Sequence, residues 1–253
     1  MSGLVLLHGF TGSPASLGEL VSLLRARQAG LRIACPWLLG HGLKPVLGPQ
    51  RFEAEVDRLA ALIRAERLSG AHLCGYSLGA RVALGLLARH PQLFSGATLI
   101  GLNPGLRDVG ERAARVGSDE RWAQLLLRQG LDGFLSAWQA QALFESQAQL
   151  PAVRLAQQQR IRGAHTAHGL GQALRVLGLG QMPDYRGVLC GLRMRVRLLA
   201  GALDGKFLGI ARQLAELCGC AELDCVPAAG HNLLLEAPAH VADVLTTALE
   251  ATA

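Results

Sequence analysis

Apolar residues recur along this chain in short continuous runs, separated by longer stretches in which they return every three or four positions. The runs fall near residues 3–7, 31–35, 71–75, 96–101, 195–200 and 222–226. Short runs of this kind predict strands buried on both faces of a sheet. Between them, residues 14–28, 52–66, 78–90, 208–218 and 238–249 carry apolar positions at helical spacing. Strands separated by helices imply βαβ units and a mainly parallel sheet flanked by helices. The interval from about 103 to 192 breaks the rhythm, being helical in pattern, rich in Gln and Arg and without a convincing strand. It reads as a helical lid inserted after the fourth strand, with Asn103-Pro104-Gly105 at its entry and Pro183 near its exit. The expected organisation is a core of residues 1–102 and 193–253 carrying an inserted lid of residues 103–192.

The chemistry concentrates at strand ends. Gly75-Tyr76-Ser77-Leu78-Gly79 follows an apolar strand and opens a helix, the context in which a serine on a sharp turn presents its hydroxyl at the carboxyl edge of a sheet. The plainer alternative is a helix-capping serine. A nucleophile or base of this kind needs a histidine oriented by an acid, and with this turn the chain order is Ser, then Asp or Glu, then His. Asp204 follows the strand near 195–200, and His231 follows the last strand within Ala229-Gly230-His231-Asn232. His72, His90, His165, His168 and His240 lack that strand-then-glycine setting, and Asp224, the alternative acid, lies inside a strand rather than after one. The first strand runs into His8-Gly9-Phe10-Thr11-Gly12. The backbone N–H groups of Phe10 and Leu78 are expected to form an oxyanion hole, with His8 a packed imidazole bracing the loop.

Composition narrows the class. With 253 residues and 50% hydrophobic content, one sheet-centred domain plus an insert suffices. The longest apolar runs fall far short of the ~20 residues that span a bilayer, and no signal peptide is read, so a soluble, cytoplasmic protein with no membrane partner is expected. Six cysteines, at positions 35, 74, 190, 218, 220 and 225, show no C-x-x-C spacing, and reduced thiols with no metal are expected. The net charge is +6, and twelve arginines against seven acids between Pro104 and Arg195 account for +5 of it. Nucleic-acid binding would want basic stripes interleaved with aromatics, which are missing. A basic lid over a serine site points instead to a small anionic substrate.

The chain resembles the 2-succinyl-6-hydroxy-2,4-cyclohexadiene-1-carboxylate synthases of menaquinone biosynthesis, enzymes of the α/β-hydrolase fold. The likeness rests on Leu7-His8-Gly9-Phe10-Thr11-Gly12, Gly75-Tyr76-Ser77-Leu78-Gly79-Ala80-Arg81, Asn103-Pro104-Gly105-Leu106 and Gly230-His231-Asn232, and in the lid on Glu111-Arg112, Arg115, Ser118-Asp119, Trp122-Ala123-Gln124 and the segment from Phe134 through Trp138 to Phe144. The resemblance implies a lyase that eliminates pyruvate without forming an acyl-enzyme. Ser77, Asp204 and His231 would be its triad; Arg81, Arg115 and Arg162 its carboxylate binders; Tyr76 and Trp138 its pocket walls; and Lys206 a neighbour of the site. No cofactor is implied. Arg160 could take the place of Arg162 by a two-residue shift.

Two departures from the resemblance stand out. Pro36-Trp37-Leu38-Leu39-Gly40-His41-Gly42 has Trp37 where an aspartate is usual, and this ring is expected to widen or cap the pocket. Residues 163–168 replace an Asn-rich run that would follow Arg162. Two other functions compete: a serine hydrolase of small carboxylate esters or C–C bonds, and a non-enzymatic binding protein on the same scaffold. The second normally requires a broken triad.

Overall fold

Six parallel strands form one sheet in the order β2-β1-β3-β4-β5-β6. They are β1 (Gly3–Leu7), β2 (Arg32–Ala34), β3 (Ala71–Tyr76), β4 (Phe94–Ile100), β5 (Val196–Gly201) and β6 (Ala221–Val226). This computed structural model describes residues 3–46 and 48–251; the outermost ends of the expected core, residues 1–2 and 252–253, lie outside them. Each predicted strand is found, with ends moved by one or two residues. Alternation along the strands sorts the core into two layers, as the pleat requires. Val5, Leu7, Leu73, Leu99 and Leu198 face α2 (Phe52–Ala65) and α3 (Leu78–Arg89). Leu4, Leu6, Cys74, Ile100 and Leu199 face α1 (Gly18–Arg27) and α10 (Pro238–Glu250). The sheet is therefore covered on both sides, which explains why its strands read as unbroken apolar runs.

The insert between β4 and β5 contains helices and connecting segments but no strand among the described residues: α4 (Val109–Gln139), α5 (Ala152–Arg162), α6 (Ala167–Leu177) and α7 (Arg186–Gly191). Gly130, at φ 67°, interrupts α4 and turns its last stretch back over the site. The insert has a small core of its own in Ala123, Leu126, Phe134, Leu135, Leu170 and Leu174. Its last part does not belong to that core. Val176, Leu177, Met182, Tyr185 and Leu189 pack into the main core with α3 and the sheet.

The expectation of six reduced cysteines is corrected at one pair. Cys190 in α7 and Cys218, the residue capping α8 (Gly205–Leu217), form a disulfide, with Cα atoms 4.3 Å apart. Packing of α7 beside the end of α8 brings them together across 28 residues, a separation that carries no motif. Among the described residues no helix is long and apolar enough to cross a membrane.

Candidate active site

Ser77 is the single residue between β3 and α3, with φ 52° and ψ −107°. Residues with a β-carbon avoid this region, and the turn is held there by its surroundings. A β-carbon on Gly79 would run into the carbonyl oxygens of Leu7 and His8, and one on Gly75 into the Gly79 carbonyl. Both glycines are thus required for the helix to approach the sheet so closely. His231 Nε2 lies 3.0 Å from Ser77 Oγ, and His231 Nδ1 lies 2.7 Å from Asp204 Oδ2. The other carboxylate oxygen, Oδ1, accepts the Phe207 N–H at 3.2 Å, capping α8. An ionised carboxylate only accepts, so Nδ1 of His231 carries the proton and the Nε2 lone pair faces the serine hydroxyl. This geometry allows His231 to take the Ser77 proton.

Four neighbours fix the imidazole. The rings of Tyr76 and Phe207 lie 5.4 and 4.4 Å from it. Gly101, at φ +60°, passes so close that a β-carbon there would sit 2.7 Å from His231 Cε1. Glu236, which ends the short helix α9 (Leu233–Glu236), accepts the Gly230 N–H at 2.7 Å and the Asn232 N–H at 3.0 Å. One carboxylate thereby grips the backbone on both sides of His231. Sequence reading missed this residue.

The serine stands where two cavities meet, each lined by Phe10, Ser77, Trp138 and His231. The cavity beneath α4 and α6 is lined by Leu78, Arg81, Arg115 and Asp119, with the exposed Lys206 at its rim. The cavity toward α5 is lined by Tyr76, Arg162 and Asn232. Among the described residues the Phe10 N–H has no partner, and Leu78, as the first residue of α3, has none within its helix. Trp138 stacks on Phe134 with centroids 5.5 Å apart, and its buried Nε1 donor is also without a partner.

The arginines differ in how their charge is balanced. Arg115 pairs with the buried Asp119 at 2.9 Å, and Arg81 donates to the Leu177 carbonyl at 2.6 Å. Burial, followed by repulsion from Arg115, pulls Arg81 down to about 9, so it remains charged at neutral pH; attraction to Asp119 opposes the shift. Burial pushes the Asp119 carboxyl up, against the pull of Arg115. Arg162 is 6% exposed, lies over the Phe144 ring at 5.1 Å, and makes no hydrogen bond or ion pair among the described residues. Burial lowers its pKa. Arg160 is exposed and bonds its own helix, so the structure puts Arg162, and not Arg160, at the cavity.

Trp37 corrects an expectation. Its side chain is 43% exposed, packs on Gly42, and lines neither cavity. The loop it occupies is held from below by the fully buried Glu55, which accepts the Leu39 N–H at 2.8 Å while bridging to Arg58, whose guanidinium also donates to the Trp37 carbonyl.

Besides His231, four histidines are buried, and burial is the main cause of their lowered pKa values: His8 and His72 to about 4, His41 well below the ordinary range, and His165 in the same direction. The unfolded chain protonates them near pH 6.5 and the folded chain does not. Between pH 6.5 and 4 the unfolded state therefore binds more protons at His8 and His72, and stability falls as pH drops through that window, each of these two withdrawing on the order of 1 kcal/mol per pH unit, with His41 and His165 acting in the same direction. Denaturant unfolding at pH 7.5 and 5.0 should show a clear loss at the lower value. Equal stabilities would contradict the neutral burial of this set.

Residues 4–244 match the model of the Alpha/beta hydrolase family. The chain belongs to that family. Among members of the family, it is 31% identical over 246 residues to the 2-succinyl-6-hydroxy-2,4-cyclohexadiene-1-carboxylate synthase of Enterobacter sp. (strain 638), a match covering 97% of this chain and 91% of that protein. It is 30% identical over 238 residues to the synthase of the same name from Escherichia coli, covering 94% and 90%. The solved structure of MenH from S. aureus aligns with this alpha/beta hydrolase at a TM-score of 0.92 and 26% identity, over 99% of this chain and 94% of that one.

Proposed function

We propose that this alpha/beta hydrolase-family enzyme is a carbon–oxygen lyase that eliminates pyruvate from 2-succinyl-5-enolpyruvyl-6-hydroxy-3-cyclohexene-1-carboxylate, giving 2-succinyl-6-hydroxy-2,4-cyclohexadiene-1-carboxylate in menaquinone biosynthesis. The observation that carries this reading is the distribution of charge about Ser77. Arg81 and Arg115 line one cavity and the unpartnered Arg162 lines the other, an arrangement that suits a substrate with carboxylates on both sides of its reacting centre. The relatives named above support the same assignment.

In this mechanism His231, oriented by Asp204, takes the Ser77 proton, and the Ser77 oxygen removes the ring proton next to the succinyl ketone. Negative charge develops on the ketone oxygen, where the Phe10 and Leu78 N–H groups stabilise it. The electron pair moves through the ring double bond, and the bond from the ring to the enolpyruvyl oxygen breaks. His231 returns its proton to the departing group, which settles as pyruvate. Ser77 ends with the proton it removed from the ring, so no acyl-enzyme forms and no cofactor takes part. Tyr76 and Trp138 form walls of the pocket, Trp138 offering its free indole N–H, and Lys206 adds positive charge at the rim. The enzyme would act on this small anionic substrate in the cytoplasm.

The deciding experiment follows pyruvate release from the enolpyruvyl substrate with purified protein. Rapid release without a burst of acyl product is expected. Hydrolysis of short carboxylate esters with no pyruvate release would replace this reading with the esterase one.

A further inference from the structure

His165 lies in the short link between α5 and α6 and is 4% exposed. Its two ring nitrogens reach two separate loops of the core. Nδ1 accepts the Gly42 N–H at 2.8 Å, and Nε2 donates to the Thr11 carbonyl at 3.0 Å. A backbone amide can only donate and a carbonyl can only accept, so the proton sits on Nε2 and both nitrogens of the neutral ring are used. Thr11 directly follows Phe10 and has φ 60°, a conformation a β-branched residue adopts only when its surroundings impose it. Its hydroxyl is already committed to the Phe10 carbonyl at 2.6 Å, and the Gly12 N–H closes the turn onto the Gly9 carbonyl at 3.0 Å. Among the described residues His165 is the one donor that reaches the Thr11 carbonyl.

The insert also holds the Phe10 side chain. The Phe134 and Trp138 rings stand edge-on to the Phe10 ring at 6.2 and 5.1 Å. On the core side, His41 lies 5.7 Å from Phe10 and 5.5 Å from His165. His8, 4.9 Å beyond His41, accepts the Leu38 N–H and donates to the Gly9 carbonyl. Residues 9–12 are thus clamped between fixed core histidines on one side and the insert on the other. The peptide that carries the Phe10 N–H is held at its Gly9 carbonyl by His8 Nδ1 and by the Gly12 N–H, and the directional bond from His165 fixes the Thr11–Gly12 peptide from which that Gly12 N–H projects.

We infer that His165 is a positioning residue for the oxyanion loop: seating the insert aims the Phe10 N–H at the site of developing charge, so covering the substrate and completing the hole are one event. The inference rests on the reading of Phe10 and Leu78 as oxyanion donors given above.

The test compares His165→Phe and His165→Gln with wild type and Ser77→Ala in the pyruvate-release assay. Loss of one well-placed donor costs about a hundredfold or more in turnover, so His165→Phe should lower kcat by roughly 30- to 300-fold while KM stays within about threefold. His165→Gln, which keeps one acceptor and one donor on a planar group, should recover at least about a tenth of the wild-type rate. Substrate affinity measured by calorimetry should be the same for Ser77→Ala with and without His165→Phe. A kcat for His165→Phe within twofold of wild type, a loss confined to KM, or equal losses for Phe and Gln would overturn the inference. If His165→Phe does not fold, His165→Leu takes its place against the Gln variant under the same criteria. Failure of the catalytic reading is distinguishable, because wild type would then release no pyruvate or Ser77→Ala would release it at the wild-type rate.

Discussion

Ser77→Ala should lower kcat for pyruvate release by at least about a thousandfold while leaving KM within about threefold of wild type. Removing a positioned general base costs typically 10²–10⁴ in rate, and groups that act as a unit are not replaced by the members left behind. In the variant His231 still faces the cavity with a free Nε2, but that nitrogen is 3.0 Å behind the serine oxygen and does not occupy its place. Alanine keeps the β-carbon, so the φ of 52° gains no relief and the turn should persist. Steady-state kinetics with tritium exchange at the abstracted ring position provides the check. Loss of both exchange and pyruvate release identifies Ser77 with proton removal. Retention of exchange without release would assign proton removal elsewhere, and turnover above a tenth of wild type would exclude serine as the base.

Arg162→Met should raise KM by roughly 10- to 150-fold, the loss of a charge-assisted hydrogen bond of about 1.5–3 kcal/mol, and should at the same time make the protein more stable. The opposite signs follow from the surroundings. Arg162 is buried with only the face of Phe144 against its charge, and an uncompensated buried charge burdens the fold. Methionine retains most of the apolar stem and removes that burden. Arg115→Met should behave differently, weakening binding and stability together, because the buried Asp119 carboxylate would lose its 2.9 Å partner. Thermal unfolding beside substrate titrations of both variants separates the cases. A fall in melting temperature for Arg162→Met would mean that the guanidinium has a counter-charge within the protein and is not held open for a ligand.

The fold and the chemical centre were legible in the chain for the same reason. A parallel sheet covered on both faces writes each strand as an unbroken apolar run, and the residues at the ends of those runs must then lie along one edge. Ser77, Asp204 and His231 each follow such a run, and the structure joins them through bonds of 3.0 and 2.7 Å. What was not legible depends on contacts between distant segments. Glu236 and His165 act on backbone N–H and C=O groups, which every residue carries, so no residue type in the partner loops marks the contact. Arg160 and Arg162 lie about 200° apart around one helix, and only the packing of α5 decides which of them is buried. The Cys190–Cys218 disulfide has the same origin, since the helices that carry the two sulfurs are neighbours in space and not in sequence. Trp37 misled because a large ring next to a site motif suggests a pocket wall, whereas its loop directs the ring to solvent.

The division of the insert between two cores bears on how enzymes of this shape diversify. Residues 176–189 pack with α3 and the sheet, while α4 and most of α6 pack on each other. A graft of a relative's lid therefore has its joints near Gly105, whose φ of 119° already demands glycine, and just before Val176, not at the points where the strand rhythm stops and resumes. Exchange between those joints trades the arginine-lined ceiling and leaves the floor, with its serine, untouched. A shorter exchangeable unit means that a new ceiling can be tried without unmaking the scaffold, which is the condition under which one catalytic edge can be inherited by enzymes with different substrates.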